Sequence, residues 1–106
     1  MTNTTTTSSD PPPIACSLTA AEYRERVADT GRVAHDALHD RRAIDGGERL
    51  TFDATTGVEE RLTGFVAAES RCCPFLTLKL ERVDGALVLD ITGPAEAAPI
   101  IEELFA

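Results

Sequence analysis

The chain has 106 residues, 42% of them apolar, which is enough for one compact domain with a modest core and too few for several domains. Its formal net charge of -8 argues against a nucleic-acid-binding protein, because binding to the phosphate backbone needs clustered lysine and arginine that acids do not offset. The sequence has no apolar run long enough to cross a membrane and no secretion signal at its start. We therefore expect a cytoplasmic protein without a nucleic-acid or membrane partner.

The N-terminal segment divides into a polar tract and the start of a domain. Residues 1–13 are rich in Thr and Ser and end in DPPP, which predicts a disordered leader before a single domain over residues 14–106. The stretch IACSL, residues 14–18, is a candidate strand that carries Cys16. Thr19 followed by Glu22 is the pattern of a capping box and predicts a helix that runs to about Arg42. Its apolar stripe comprises Tyr23, Val27, Thr30, Ala34 and Ala37-Leu38.

A second strand and a second helix follow. DGGERLTFD predicts a glycine turn and a short strand with Leu50 and Phe52 on one face. A second capping pattern at Thr55-Thr56, followed by acidic residues, predicts a helix that ends before Pro74, because proline disfavours helical geometry at the preceding residue. Its stripe comprises Val58, Leu62, Phe65, Val66, Glu69 and Cys72-Cys73.

The last third of the chain predicts a hairpin and a short helix. FLTLKLERVDGALVLDITG alternates apolar and polar residues on both sides of the turn Asp84-Gly85. A last segment from Pro94 is expected to cover the sheet with its apolar residues, shortened by Pro99. The order β-α-β-α-β-β-α, with helices that have one apolar stripe each, predicts an α/β (α+β) two-layer sandwich: a four-stranded sheet with helices on one face.

Glu69 is the unusual member of the second helical stripe. It lies three and four residues before Cys72 and Cys73, on the same side of the helix. A buried carboxylate without a partner costs several kcal/mol of stability, so we expect Glu69 to contact Arg71, a backbone amide or something bound. The structural interpretation is that Glu69 lies at the edge of the stripe and pairs with an arginine.

The three cysteines are the candidate functional residues. Three thiols cannot pair completely, and a disulfide-stabilised secreted domain normally has a larger, even number. As thiolates, Cys16, Cys72 and Cys73 suit soft ions such as Hg(II), As(III) or Cu(I), whereas adjacent cysteines are poorly spaced for a tetrahedral zinc site. Buried, inert thiols are the alternative, because cysteine is among the most buried residue types. The two histidines, His35 and His39, are expected on an exposed face of the first helix.

The stretches IACSLT, LTFD, ESRCCPFLTLKL and LVLDITGP resemble a family of small uncharacterised bacterial proteins with a Cys-Cys-(Pro/Ala)-Phe-Leu signature. The resemblance covers residues 14–105. Its most specific positions are Cys16, Glu69 and the run from Cys72 to Phe75. Members of that family are often encoded near mercury and other heavy-metal resistance genes, and the resemblance therefore implies a link to thiophilic metals.

These observations lead to two principal hypotheses. The first is a scavenger, carrier or sensor that binds a thiophilic metal or metalloid through Cys16, Cys72 and Cys73, with Glu69 as a further ligand or as an acceptor behind the thiolates. The second is a small enzyme in which Glu69 protonates the leaving carbon of an organometallic substrate, or in which the thiols carry out redox chemistry. A module with purely structural cysteines is a third interpretation, and a homodimer is left open.

Overall fold

The structure is a computed structural model and describes residues 19–106. The predicted leader and the candidate strand IACSL lie outside the described residues. The elements, in chain order, are helix α1 (Ala20–Ala37), strands β1 (Leu38–Ile44) and β2 (Gly47–Asp53), helix α2 (Thr56–Cys72), strands β3 (Thr77–Val83) and β4 (Ala86–Thr92), a 3-10 turn (Ala95–Ala97) and helix α3 (Ala98–Glu103).

The four strands form one antiparallel sheet in the order β1-β2-β4-β3. Two hairpins, β1-β2 and β3-β4, make up the sheet, and β2 pairs with β4 at its centre. The second hairpin turns at Asp84 and Gly85, which both adopt positive φ angles, as the predicted Asp-Gly turn requires. The predicted α+β class with a four-stranded sheet is confirmed.

The first helix was predicted to extend to about Arg42, and this is wrong. Helix α1 ends at Ala37, and residues 38–44 form β1, the first half of a hairpin that turns at Asp45 and Gly46. The stripe residue Leu38 suits either a helix or a strand, and pairing with β2 decides in favour of the strand. The described elements therefore follow the order α-β-β-α-β-β-α, and β1 is the fourth strand that had been assigned to IACSL.

The core lies between one face of the sheet and the helices. Leu50 of β2 lies opposite Leu89 of β4, Phe52 lies opposite Leu87, and all four are buried. The other face of the sheet is polar, with Arg49 donating two hydrogen bonds to Asp90. This arrangement is a two-layer sandwich with its helices on the apolar face. The helical residues of the core are Val33, Ala37, Val58, Leu62, Phe65 and Ile101, and Leu104 and Phe105 follow the last helix.

The side chain of Arg41, on β1, binds the end of α3 and the two residues after it. The guanidinium of Arg41 donates to the carbonyl oxygens of Leu104 and Phe105 at 3.0 Å, and to those of Ile101 and Glu102 at 3.1 Å. The carbonyls at a helix end lack intrahelical partners and carry partial negative charge, which a cation stabilises. In the part of the chain from residue 19 onward, no helix is both long and apolar enough to cross a membrane.

Candidate thiol site

The cysteine pair lies where α2 ends. Thr55 caps the start of α2 by accepting a hydrogen bond from the Val58 amide, as the sequence predicts. At the other end the amide of Cys73 donates to the Glu69 carbonyl at 2.7 Å, and the chain then leaves the helix. The amide of Leu76 donates to the Cys73 carbonyl at 3.0 Å, which closes a turn with Pro74 at its second position. Helix α2 therefore ends at the pair, as predicted.

The two cysteines have different environments. Cys72 is the last helical residue and is half-buried, whereas only 2% of Cys73 is exposed and its side chain belongs to the core. Cys73 is disulfide-bonded. The sulfur of Cys73 is thus already close to a second sulfur atom. Cys73 is therefore not a reduced thiol in this structure, although the metal hypothesis requires it as a thiolate.

Glu69 is buried and paired with an arginine from the neighbouring helix. Only 2% of Glu69 is exposed, and its Oε2 atom forms an ion pair with Nη1 of Arg26 on α1. Neither atom has another hydrogen-bond partner among residues 19–106, so each depends on the other. The expected arginine partner exists, but it is Arg26 rather than Arg71, which is exposed at the end of α2.

Arg26 connects this ion pair to solvent. Its side chain is 20% exposed and borders a cleft of about 380 Å³ between α1 and α2, whose floor includes Phe65 and Phe105. The pair therefore links the two long helices about one turn before the cysteines, with its carboxylate end buried and its guanidinium end near the cleft.

The position of Arg26 in the sequence indicates a contact with Glu69, but the prediction did not use it. Arg26 is three residues after Tyr23 and four before Thr30, so it lies on the same stripe of α1 as those residues. A basic residue on one apolar stripe and an acidic residue on another are both costly to bury alone, and pairing them offsets that cost. Comparing the two stripes would have suggested the contact.

The predicted metal ligands are only partly described. Cys72 and Cys73 are adjacent and Glu69 is one turn earlier, while Cys16 lies outside the described residues. Within residues 19–106, no group of three or more His, Cys, Asp and Glu side chains could hold a metal ion. A metal site at the end of α2 would accordingly need a ligand from elsewhere, and Cys16 is the remaining cysteine of the sequence.

The two histidines do not form part of this site. Both are exposed, as predicted, but only His35 lies on α1. His39 lies in β1, where its Nε2 atom is 3.4 Å from a carboxylate oxygen of Asp53. The predicted helical spacing of the two residues is therefore wrong.

Comparison with known proteins identifies no relative of the chain. No family model, no curated protein and no solved structure matches the chain.

Proposed function

We propose that the chain binds a thiophilic metal or metalloid ion of the Hg(II), As(III) or Cu(I) type through Cys16, Cys72 and Cys73, in the cytoplasm, as a scavenger, carrier or sensor. The observation that carries the proposal is the position of two adjacent cysteines, Cys72 and Cys73, at the end of α2, one turn after the buried Glu69. Cys16 is the third sulfur ligand that the proposal adds to this pair. Three sulfur donors in one place are what a soft, low-coordinate ion requires.

The helix end favours a cation over a reactive thiolate. The C-terminus of α2 carries a partial negative charge, which stabilises cations and disfavours further negative charge. Thiolates that act as nucleophiles are typically found at helix N-termini or beside basic groups. Cys72 and Cys73 occupy the opposite end. A metal ion at this end would neutralise the thiolates and also interact favourably with the helix dipole.

The sheet offers a place for the segment that carries Cys16. Among the described strands, β3 pairs only with β4, so its other edge has no strand beside it in residues 19–106. Strand β3 begins directly after the turn that follows Cys73. A short apolar strand on that edge would bring Cys16 towards the cysteine pair, as the tertiary site needs.

Glu69 supports the site through charge and position. Its ion pair with Arg26 joins α1, which follows the Cys16 segment, to α2, which carries the other two cysteines. This arrangement weighs against the enzyme hypothesis, because an arginine partner favours the charged carboxylate and a proton donor must be neutral.

The test of binding uses the reduced protein, because thiolates are the ligands. Hg(II) or arsenite is added to wild type and to Cys16→Ser, Cys72→Ser and Cys73→Ser, and both thiol reactivity and the thiolate-to-metal absorption band are followed. We expect about one ion per chain and weaker binding in every cysteine variant. His35→Ala and His39→Ala serve as matched controls and should bind like wild type. Unchanged thiol reactivity after addition of the ion would contradict the proposal.

The enzyme hypothesis is separated from simple binding by Glu69→Gln. This variant keeps the shape of the side chain but cannot donate a carboxylic proton. Release of the protonated organic fragment from an organomercurial is measured for wild type, for the variant and for a small thiol alone. The binding proposal predicts a wild-type rate no higher than that of the small thiol. Faster release that disappears in Glu69→Gln would instead establish catalysis.

A further inference from the structure

We infer that the cleft between α1 and α2 binds a small organic carboxylate with an apolar body, whose carboxylate pairs with Arg26 while its body lies on Phe65 and Phe105. The cleft has a volume of about 380 Å³, and residues of both helices line it. Clefts of about 300–1,000 Å³ with a mostly apolar lining and a few polar groups are typical small-molecule sites. Neither Cys72 nor Cys73 lines the cleft, so the inference goes beyond the proposed metal binding and does not depend on it.

The floor of the cleft is aromatic and is held in place by packing. Phe65 and Phe105 are buried, and their rings meet edge to face with centroids 4.9 Å apart. The ring of Phe105 also meets that of Phe52 edge to face, with centroids 5.3 Å apart. The Phe105 amide donates to Oγ1 of Thr30, another lining residue, at 3.0 Å. Because these contacts already order the floor, an aromatic body can bind there with little rearrangement of the protein.

Arg26 provides hydrogen-bond donors beside this floor. Its Nη1 atom pairs with Glu69, and its guanidinium contacts no other acceptor within residues 19–106. A guanidinium has five N–H donors and pairs with a carboxylate through two parallel hydrogen bonds, so donors remain for a second acceptor. The side chain is 20% exposed and lines the cleft, where a ligand carboxylate can reach it. Glu69 offsets the charge of the guanidinium, so these hydrogen bonds, and not net charge, would hold the ligand.

The polar residues of the lining favour a carboxylate over an ammonium group. The lining contains two cationic residues, Arg26 and Arg61, and one acidic residue, Asp29. Asp29 already accepts a hydrogen bond from Arg32. The Nη1 atom of Arg61 is 3.5 Å from a carboxylate oxygen of Asp36, beyond the usual length of a hydrogen bond, and the side chain is exposed. A carboxylate in the cleft would therefore meet arginine donors, whereas an ammonium group would meet an acid that is already paired.

A glycine in the wall formed by α2 leaves space for the ligand. Gly64 lies in the middle of the helix, where glycine is less favourable than alanine. A Cβ atom at this position would meet no atom within 4 Å, so packing against the rest of the described chain does not require a glycine. Glycine is common where the backbone approaches a ligand closely. Since Gly64 lines the cleft, a large side chain at this position should narrow the cleft and leave the core intact.

The experiment titrates the full chain with phenylpropionate and follows the amide chemical shifts by NMR spectroscopy. Phenylpropanol, which has the apolar body without the charge, and acetate, which has the carboxylate without the body, are titrated in parallel. We expect saturable shifts at residues of the cleft, with phenylpropionate binding about tenfold more tightly than either, because hydrogen bonds to a charged acceptor are the stronger ones. No saturable shifts with phenylpropionate, or equal affinity for phenylpropanol, would overturn the inference.

Variants of Gly64 and Arg26 then assign the contacts. Gly64→Phe should weaken the binding of phenylpropionate about tenfold by filling space that its body needs. Gly57→Phe is the matched control and should bind like wild type, because Gly57 lies in the same helix with equally open surroundings but outside the lining. Unchanged binding in Gly64→Phe would overturn the cleft as the site.

The test of Arg26 replaces both members of its ion pair, because Arg26→Met alone would leave Glu69 buried without a partner. Proteins often tolerate the replacement of a buried ion pair by apolar residues of similar volume, which here is the double variant Arg26→Met with Glu69→Met. We expect this variant to bind phenylpropionate no more tightly than phenylpropanol. A retained preference for phenylpropionate would overturn the assignment of the carboxylate to Arg26.

Discussion

Glu69 and Arg26 form an ion pair across α1 and α2, with the carboxylate in the core and the guanidinium bordering a cleft. Each residue lies on the apolar stripe of its helix, where it would be costly alone. The contact makes the orientation of the two long helices dependent on one charge pair close to the cysteines. Charge, and not only apolar packing, thus helps to position the candidate site.

Removal of Arg26 should destabilise the fold strongly. In Arg26→Met the Glu69 carboxylate stays buried without its counter-charge, and such losses typically lower the free energy of unfolding by about 3 kcal/mol. Urea denaturation of the reduced protein measures the change. Arg71→Met is the matched control, because Arg71 is exposed at the end of the same helix as Glu69. Equal stability of the two variants would contradict the assigned ion pair.

Arg41 should matter more than its neighbour Arg42. Its guanidinium donates to four carbonyl oxygens at the end of the chain, and its removal leaves those acceptors without a charged donor. Hydrogen bonds to charged groups are worth about 1.5–3 kcal/mol, so we expect Arg41→Met to lower the free energy of unfolding by about 2 kcal/mol. Arg42→Met removes only a surface contact with Asp40 and should cost under about 0.5 kcal/mol.

The single tyrosine gives a spectroscopic test of the contact between α1 and α3. Burial, together with the hydrogen bond from its hydroxyl to Glu103, raises the pKa of Tyr23 well above its usual value of about 10. The chain has no tryptophan, so ultraviolet absorbance follows tyrosinate formation without interference. We expect the folded protein to ionise at higher pH than the urea-unfolded chain, and Glu103→Gln to lower the pKa of Tyr23.

The same pKa shift sets a pH dependence of stability. A folded-state pKa above the unfolded value means that the stabilisation is complete below about pH 10 and is lost as the pH rises towards the folded-state pKa. The stability of wild type should therefore fall above about pH 10, and that of Tyr23→Phe should fall less. Parallel stability profiles for the two proteins would contradict the Tyr23 to Glu103 contact.

The sequence predicted the local elements of this fold better than its long-range contacts. The capping box at Thr19, the N-cap at Thr55, the Asp-Gly turn and the end of α2 before Pro74 depend on residues close in the chain, and all four are observed. Strand β1 was missed because its residues continue a helical stripe, and only pairing with β2 distinguishes the two structures. Arg26 was missed because its partner is far along the chain, where spacing within one helix gives no information.

For the candidate site, too, the sequence predicted the local positions of residues better than their long-range contacts. The positions of Glu69, Cys72 and Cys73 on one helix follow from helical periodicity and from proline, and the structure agrees with them. Convergence with Cys16 depends on tertiary structure and stays a prediction. The disulfide at Cys73 was not predicted, because an odd number of cysteines indicates neither which pair forms nor whether one does.

X-ray absorption spectroscopy of the reduced chain loaded with Hg(II) tests the central claim most directly, because it counts the sulfur atoms bound to the metal. We predict three sulfur ligands in wild type and in the control His35→Ala, and two in Cys16→Ser. Two or fewer sulfur ligands in wild type, unchanged by Cys16→Ser, would contradict a three-cysteine site built from Cys16, Cys72 and Cys73.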